Sequence, residues 1–336
     1  MRSLLWSALC VACLAACGDD GGGAVSFTLV GKDQPSALLS AWGASPSDMW
    51  VVGGAPDAAS GPTVLRLDGD AWTHLDTGQT GIDLWWVFGF AGGDVFLSGS
   101  SGAILRYRDG SFERMPTPSS TGIVFGLWGA TPDDVWAVGR SSTGGGALLW
   151  HFDGATWATV AAPSELPASS IAFKVSGRSS DDVWISCSNA GTLHWTGTSF
   201  EYLPIGGLAS LFSIAVTPSD VVAAGSPTTG GAGALYENSG ASWETASLAV
   251  PITWHGVGAG ADQVYAVGDS GVIGHRDASG VWDVLDQSLI QRSFHASWVD
   301  DEGGFWGVGG EFASSPLTAG FLLYRGTRHV PHFDGE

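Results

Sequence analysis

The stretch TPDDVWAVGR (131–140) has two close relatives in the chain, SPSDMWVVGG (45–54) and SSDDVWISCS (179–188). In each copy an acidic turn is followed by an apolar residue, a tryptophan and a short run that ends in a small residue. A polar turn that leads into such a run is typical of a β-strand. The sequence therefore predicts a repeated β unit, and the spacing of its copies indicates the architecture.

The position of this tryptophan recurs seven times along the chain, with gaps of 46, 40, 48, 38, 43 and 41 residues, at Trp50, Phe96, Trp136, Trp184, Val222, Tyr265 and Trp306. Repeats of about 40–47 residues build either propellers or helical solenoids. Short β-branched and aromatic runs interrupted by Gly, Pro and Asp exclude the helical arrays. We therefore predict an all-β fold, a seven-bladed β-propeller of four-stranded antiparallel blades.

Within the first unit, strands A and B are predicted at 38–43 and 49–54, and strands C and D at 63–69 and 71–75. The seventh unit has clear A, B and C strands but lacks a clear D strand. The segment AVSFTLVG (24–31) can supply that strand and close the ring. Its rival is RGTRHVPHF at the C-terminus, and we favour closure by the N-terminal strand.

The repeated aromatic residues are expected to pack blade against blade, since each large ring stabilises a fold when it is buried. They lie on strand B, on strand A (Trp42, Phe88, Trp128 and Trp298) and on strand D (Trp72, Phe112, Trp157, Phe200, Trp243 and Trp282). Glycine usually ends strand B, which indicates a crowded position. Cys187 takes this place in blade four, and we interpret it as a small buried substitute.

The N-terminus predicts export and lipidation. Residues 1–16 form a signal peptide, and Leu14-Ala15-Ala16-Cys17 matches a bacterial lipobox. Acyl chains on Cys17 would anchor the chain through a flexible tether at 17–24, followed by the propeller at 25–326 and a C-terminal tail at 327–336. An ordinary signal peptide with a chance cysteine is the alternative. The expected location is the bacterial cell envelope, at the outer membrane or cell surface.

Cysteine content and charge limit the partners. After removal of residues 1–16 and lipidation of Cys17, Cys187 is the one remaining free cysteine, so no intramolecular disulfide is expected. The chain has 13 Lys and Arg against 33 Asp and Glu, for a formal charge of −20. This balance disfavours nucleic acid as a partner. We expect a monomer that contacts the membrane through its lipid.

The combined motif WG-x-[ST]-P-x-D-[VM]-W-x-V-G, followed by a DG-x-x-W hairpin, resembles the Trp/Gly-rich propeller repeats of bacterial lipoproteins, notably those of myxobacteria. It is loosely similar to kelch and Asp-box propellers. The resemblance covers about residues 25–326. It implies the architecture and carries little about function, because propellers host many tasks. DGATW (153–157) lacks the leading Ser-x-Asp of the Asp box, so no sialidase activity is implied.

No catalytic or metal-binding residue is predicted, and no cofactor is expected. Gly268-Asp269-Ser270-Gly271 is similar to a serine-protease motif, but it occupies a B–C turn and no histidine lies in a recognisable partner motif. His329 and His332 are only half a metal site. The acidic turns recur in the blades, as structural turn residues do, at Asp48, Asp133, Asp134, Asp181, Asp182, Asp220 and Asp262.

The B–C loops vary most. They are long in blades one, three, five and seven (GAPDAASGP, RSSTGGGA, SPTTGGAGA and GEFASSPLTAG) and short in the others. B–C and D–A loops share one face of a propeller, and loops on a rigid scaffold often carry function. The expected function is a surface-anchored, non-enzymatic binding or scaffold module that recognises a protein or glycan through this face. The alternative is a carbohydrate- or peptidoglycan-active hydrolase or lyase with an acidic site at the central channel.

Overall fold

In a computed structural model the described residues form 28 strands arranged as seven four-stranded antiparallel sheets, which confirms the predicted propeller. The structure describes residues 24–333 apart from 190, 206–209, 227–232, 241, 249 and 261. Cys17 lies outside the described residues. Each sheet is one blade, and the first strands of neighbouring blades contact one another around a closed ring that lines the central channel.

The chain begins with β1 (Ser26–Gln34), which precedes blade one. Blade one consists of β2 (Leu38–Ser45), β3 (Asp48–Gly53), β4 (Val64–Asp68) and β5 (Ala71–His74), and blade two of β6 (Leu84–Gly89), β7 (Val95–Gly99), β8 (Ile104–Arg108) and β9 (Ser111–Arg114). Blade three consists of β10 (Ile123–Thr131), β11 (Asp134–Arg140), β12 (Ala147–Phe152) and β13 (Trp157–Thr159).

Blade four consists of β14 (Ala172–Ser179), β15 (Asp182–Cys187), β16 (Gly191–Trp195) and β17 (Phe200–Pro204), and blade five of β18 (Ser210–Val216), β19 (Val221–Ser226), β20 (Ala234–Asn238) and β21 (Trp243–Thr245). Blade six consists of β22 (Trp254–Ala259), β23 (Val264–Gly268), β24 (Ile273–Arg276) and β25 (Trp282–Leu285). Blade seven contains β26 (Phe294–Val299), β27 (Phe305–Glu311) and β28 (Thr318–Gly326). A 3-10 turn, Asp269–Gly271, lies between β23 and β24.

The N-terminal strand closes the ring, as predicted. β1 pairs antiparallel with β28 and becomes the outer strand of blade seven. The rival C-terminal segment crosses to blade one instead, where the Trp72 indole nitrogen donates to the carbonyl of Pro331 at 2.9 Å. The Phe333 ring packs edge-on against Trp72 with centroids 4.9 Å apart. This part of the tail therefore covers the seam between blades seven and one.

The hydrophobic core lies between blades, because each buried strand B ring contacts the next blade. Trp50 packs on Tyr107 with ring centroids 4.8 Å apart, and Trp136 packs on Trp195 at 5.3 Å. Burial of one large side chain contributes roughly 1.5–3 kcal/mol. This confirms the structural role predicted for the strand B aromatics.

The glycines that end strand B are required by close packing. A Cβ at Gly139 would lie 1.9 Å from the carbonyl oxygen of Ile123, and the equivalent glycines are equally crowded. Cys187 occupies this position in blade four and is fully buried. Burial raises the pKa of its thiol to about 12, so this cysteine is held as an unreactive thiol.

The acidic turns of blades one, three and four form contacts within their own blades, whereas Asp220 of blade five pairs with Arg276 of blade six. Asp48 accepts a hydrogen bond from Arg66 at 3.1 Å, and the carboxylate of Asp134 lies 2.6 Å from the Nε2 of His151. His194 and Asp182 repeat this pair in blade four. Arg106 of blade two instead pairs with Glu113 on the neighbouring strand D. The structural interpretation of these turn carboxylates therefore agrees with the contacts.

Candidate functional site

Every strand A has a β-bulge near its first residue. In each blade one extra residue of strand A has no partner on strand B. From blade one to blade seven these residues are Leu39, Trp85, Phe125, Phe173, Phe212, His255 and His295. A bulge interrupts the alternation of side chains and redirects the extra one. Since strand A begins beside the end of strand B, these residues lie on the face that carries the B–C and D–A loops.

Six of the bulge side chains and Phe312 form a closed circuit of aromatic rings. Neighbouring centroids are 5.0 to 5.9 Å apart in the order Trp85, Phe125, Phe173, Phe212, His255, Phe312, His295 and back to Trp85. All seven rings remain partly exposed. Together with Lys174 and Ala313 they line a cavity of about 240 Å³, here called the aromatic cup.

Blade one contributes a backbone acceptor to the cup. The bulge residue Leu39 is fully buried, and its carbonyl oxygen accepts a hydrogen bond from Nδ1 of His295. Burial, with a further contribution from Lys174, holds the pKa of His295 well below its ordinary value. The ring is therefore neutral near pH 7, and with the proton on Nδ1 its Nε2 carries a lone pair.

Lys174 lines the cup as a buried amine. The residue is 4% exposed, and its Nζ donates to the carbonyl oxygen of Phe125 at 2.7 Å. The same nitrogen lies 4.0 Å from the centroid of the Trp86 ring. Burial lowers the pKa of Lys174 well below its ordinary value. The cup therefore contains an amine that is deprotonated more readily than that of an exposed lysine.

A histidine–aspartate pair lies at one side of the cup. Nε2 of His255 and a carboxylate oxygen of Asp269 are 2.8 Å apart, and Ser293 donates to the same oxygen at 3.0 Å. Burial tends to raise the pKa of Asp269, but the contacts with His255, Ser293 and the amide of Thr253 together outweigh it, and the pKa is lowered. No hydrogen bond joins the exposed Ser270 hydroxyl to His255 in the described part of the chain.

The opposite end of the channel is separated from the cup. A second cavity, of about 230 Å³, is lined by Trp86 and by the four strand A aromatics that were predicted to pack between blades. The Trp86 indole nitrogen donates to the carbonyl of Leu127 at 3.1 Å, which ties this ring to strand A of the neighbouring blade. The strand A aromatics thus line the channel in addition to packing against the neighbouring blade.

Acidic side chains gather on the A–B turn face. Asp262, Asp300, Asp301 and Glu302 line an open hollow of about 590 Å³ beside blades six, seven and one. One carboxylate oxygen of Asp300 accepts from the amides of Gly304 and Glu302 within its own turn, and the other accepts from Trp306 at 2.9 Å. Burial raises the pKa of Asp300. The acidic residues and the aromatic cup therefore lie on different faces.

The remaining predicted candidates are not part of the cup. His329 and His332 are exposed in the tail. Within residues 24–333, omitting the gaps given above, no group of three or more His, Cys, Asp or Glu side chains is placed to hold a metal ion. Of the four long B–C loops, that of blade seven reaches the cup through Phe312, whereas 227–232 of the blade five loop lie outside the described residues.

Sequence inspection missed the cup, although a signal exists. When the seven A strands are aligned, six of them have a side chain with a ring at the same position. It is the second member of the pairs Leu84-Trp85, Val124-Phe125, Ala172-Phe173, Leu211-Phe212, Trp254-His255 and Phe294-His295. In a regular strand, such a residue would point to the side opposite its neighbours. Only the strand pairing reveals that a bulge brings these rings together.

Comparison with known proteins supports the fold. No protein-family model matches the chain, and no curated protein sequence matches it. Virginiamycin B lyase from Staphylococcus aureus is structurally similar, with a TM-score of 0.68, 14% identity, and coverage of 89% of this chain and 98% of the lyase. YCF48 bound to D1 peptide has a TM-score of 0.63 at 14% identity, covering 91% of this chain and 97% of that one.

The WD40 repeats of RRP9 have a TM-score of 0.68 at 11% identity, covering 91% of this chain and 99% of that chain. Among the residues that the structure describes, no helix is long and apolar enough to cross a membrane. At these levels of identity the similarities establish the fold alone, and this chain is a seven-bladed β-propeller with an aromatic cup at one mouth of its channel.

Proposed function

We propose that this protein is a non-enzymatic binding module that recognises a protein or glycan through the aromatic cup and the surrounding B–C and D–A loops. The observation that supports this proposal is the closed circuit of seven partly exposed rings at one mouth of the channel. Aromatic rings supply large, rigid contact surfaces, and they are enriched at binding hot spots. Apolar side chains and the apolar faces of sugars both pack against such rings.

The propeller scaffold suits this task because loops and bulges are held in place by buried interblade packing. YCF48 has been solved with a bound D1 peptide on a similar scaffold. By analogy, we propose that an exposed segment of a protein or a glycan enters the cup. The buried partners of the rings, such as Leu39 beneath His295, would keep the cup preformed and limit the entropy lost on binding.

The binding proposal is tested with a glycan array, a peptide library and crosslinking on intact cells. Phe125→Ala combined with Phe173→Ala removes two adjacent rings of the cup. Trp42→Ala is the matched control, because that ring lines the opposite end of the channel. We expect ligand capture to be lost in the double variant and kept in the control, with the far-ultraviolet spectrum unchanged in both. Equal capture by the double variant would refute a binding site in the cup.

We further propose that a lipid on Cys17 anchors the module in the cell envelope. This proposal depends on the lipobox and on the polar segment that follows it. Cys17→Ser should abolish incorporation of labelled palmitate and move the protein from the membrane fraction to the soluble fraction. Retention of the variant in the membrane fraction would contradict the proposed anchor.

The second candidate is a hydrolase or lyase, and a separate observation favours it. Lys174, His295 and the His255–Asp269 pair converge in the cup, and such clusters are typical of active sites. The acidic site first considered for this function would not be involved, because the cup chemistry is that of an amine and imidazoles. Peptidoglycan and polysaccharide turnover by the wild type, lost in His295→Phe, would favour this candidate over the binding module.

A further inference from the structure

Lys174 is unusual in this chain because it is one of only two lysines, the other being Lys32. Lys32 is exposed on β1, whereas Lys174 is buried on β14 at the channel. The equivalent positions of the other blades hold Ser40, Trp86, Gly126, Ser213, Gly256 and Ala296. The amine is therefore a departure from the repeat, as expected of a residue with a function of its own.

The surroundings of this amine favour its neutral, nucleophilic form. Its Nζ contacts a backbone carbonyl and the face of Trp86, and no salt bridge reaches it in the described part of the chain. Burial disfavours a positive charge at this place. A lysine desolvated in an apolar pocket is a recognised form of activated amine nucleophile.

The cup offers both room and proton carriers around Lys174. A cavity of about 150 Å³ is large enough to bind benzene, and the cup measures about 240 Å³. Its walls are aromatic rings, which suit an aromatic or apolar ligand. His295 carries a lone pair on Nε2, and His255 is held by Asp269. These imidazoles can carry protons during a reaction at the amine.

We propose that Lys174 captures a small aromatic or apolar aldehyde or ketone as an imine in the aromatic cup. The Nζ lone pair forms a bond to the carbonyl carbon, and one amine proton passes to the carbonyl oxygen to give a carbinolamine. The C–O bond then breaks, the second amine proton leaves with the hydroxyl as water, and a C=N bond remains. No oxidant or reductant is needed. The inference rests on the cup of the proposed function but adds a covalent step to it.

The test uses the purified full chain with benzaldehyde and sodium cyanoborohydride at pH 7, followed by peptide mapping. Cyanoborohydride reduces the imine to a stable benzylamine on the modified residue. Because the neutral fraction of an amine changes about tenfold per pKa unit, we expect Lys174 to be labelled at least about tenfold faster than Lys32, the internal standard. Labelling of Lys32 with no label on Lys174, or equal labelling of both, would overturn the proposal.

Two variants and a competitor complete the experiment. Lys174→Met should lose the selective adduct, whereas Lys32→Met should keep it. Benzyl alcohol has the shape of the aldehyde without its carbonyl, and it should slow the labelling of Lys174 but not of Lys32. Benzyl alcohol binding is also followed by quenching of tryptophan fluorescence in the wild type and in the double variant Phe125→Ala with Phe173→Ala. If quenching occurs only in the wild type and benzaldehyde still gives no adduct, the cup binds ligands and the imine is refuted. A labelling rate at Lys174 that benzyl alcohol leaves unchanged would also overturn capture in the cup.

Discussion

Replacing Lys174 by methionine is expected to stabilise the protein, since the amine is buried and no carboxylate among the described residues pairs with it. Methionine keeps an unbranched stem of similar length against Trp86 and the neighbouring strands. The variant loses a hydrogen bond to Phe125, which contributes about 0.5–1.5 kcal/mol net. It also removes the cost of burying the amine, which near pH 7 is the cost of holding it deprotonated below its ordinary pKa, about 1.4 kcal/mol per pKa unit. We expect a gain of about 1–4 kcal/mol in the free energy of unfolding at pH 7, comparable to the range found when buried ion pairs are replaced by apolar side chains.

The pH dependence of this gain separates the electrostatic cause from simple repacking. The pKa of Lys174 is lowered in the folded state, so the unfolded chain binds more protons at any pH between the folded value and about 10.4. Wild-type stability therefore rises with pH across that window, by up to about 1.4 kcal/mol per pH unit. The advantage of Lys174→Met should be largest at the acidic side of the window and should shrink as the pH approaches 10.

The assay is urea unfolding of the wild type, Lys174→Met and Lys32→Met at pH 7, 8, 9 and 10, followed by tryptophan fluorescence. Lys32→Met is the matched control, since this lysine is exposed and its replacement should leave the pH profile unchanged. A Lys174→Met variant that is less stable than the wild type at every pH would refute the reasoning. A stability difference that does not change between pH 7 and pH 10 would refute it equally, because repacking alone has no such dependence.

Three further predictions follow from other buried groups. Trp136→Ala should lower the free energy of unfolding by about 3–5 kcal/mol, because this ring packs on blade four. A loss below about 1 kcal/mol in urea unfolding would contradict the interblade core. The folded protein should leave Cys187 unlabelled by a thiol reagent at pH 8, as mapped by mass spectrometry, and full labelling before unfolding would contradict its burial. The pKa of His295 is lowered on folding, so the unfolded chain takes up the proton first as pH falls below about 6.5. His295→Phe should therefore lose less stability between pH 7 and pH 5 than the wild type, and parallel denaturation profiles would contradict this assignment.

Much of the fold could be predicted because the repeat is local. An acidic turn, a strand B aromatic and a terminal glycine recur in most units, and each has the same physical reason in every blade. Gly139 must lack a side chain because Ile123 lies against it, and Trp136 must be large because it fills the space beside blade four. The closing strand could be predicted from the same spacing, since Phe27 stands in β1 where a strand D aromatic is expected.

The sequence by itself determined the blade count, the antiparallel order within each blade and the use of the N-terminal strand to close the ring. Tertiary structure alone decided which side chains meet at the channel. Lys174, His255 and His295 come from three different blades, and bulges redirect the two histidines toward the mouth that Lys174 also lines. No periodicity within one segment encodes the convergence of these three side chains. A bulge is defined by its pairing with the partner strand, and the mouth of the channel forms only when all seven blades close into a ring.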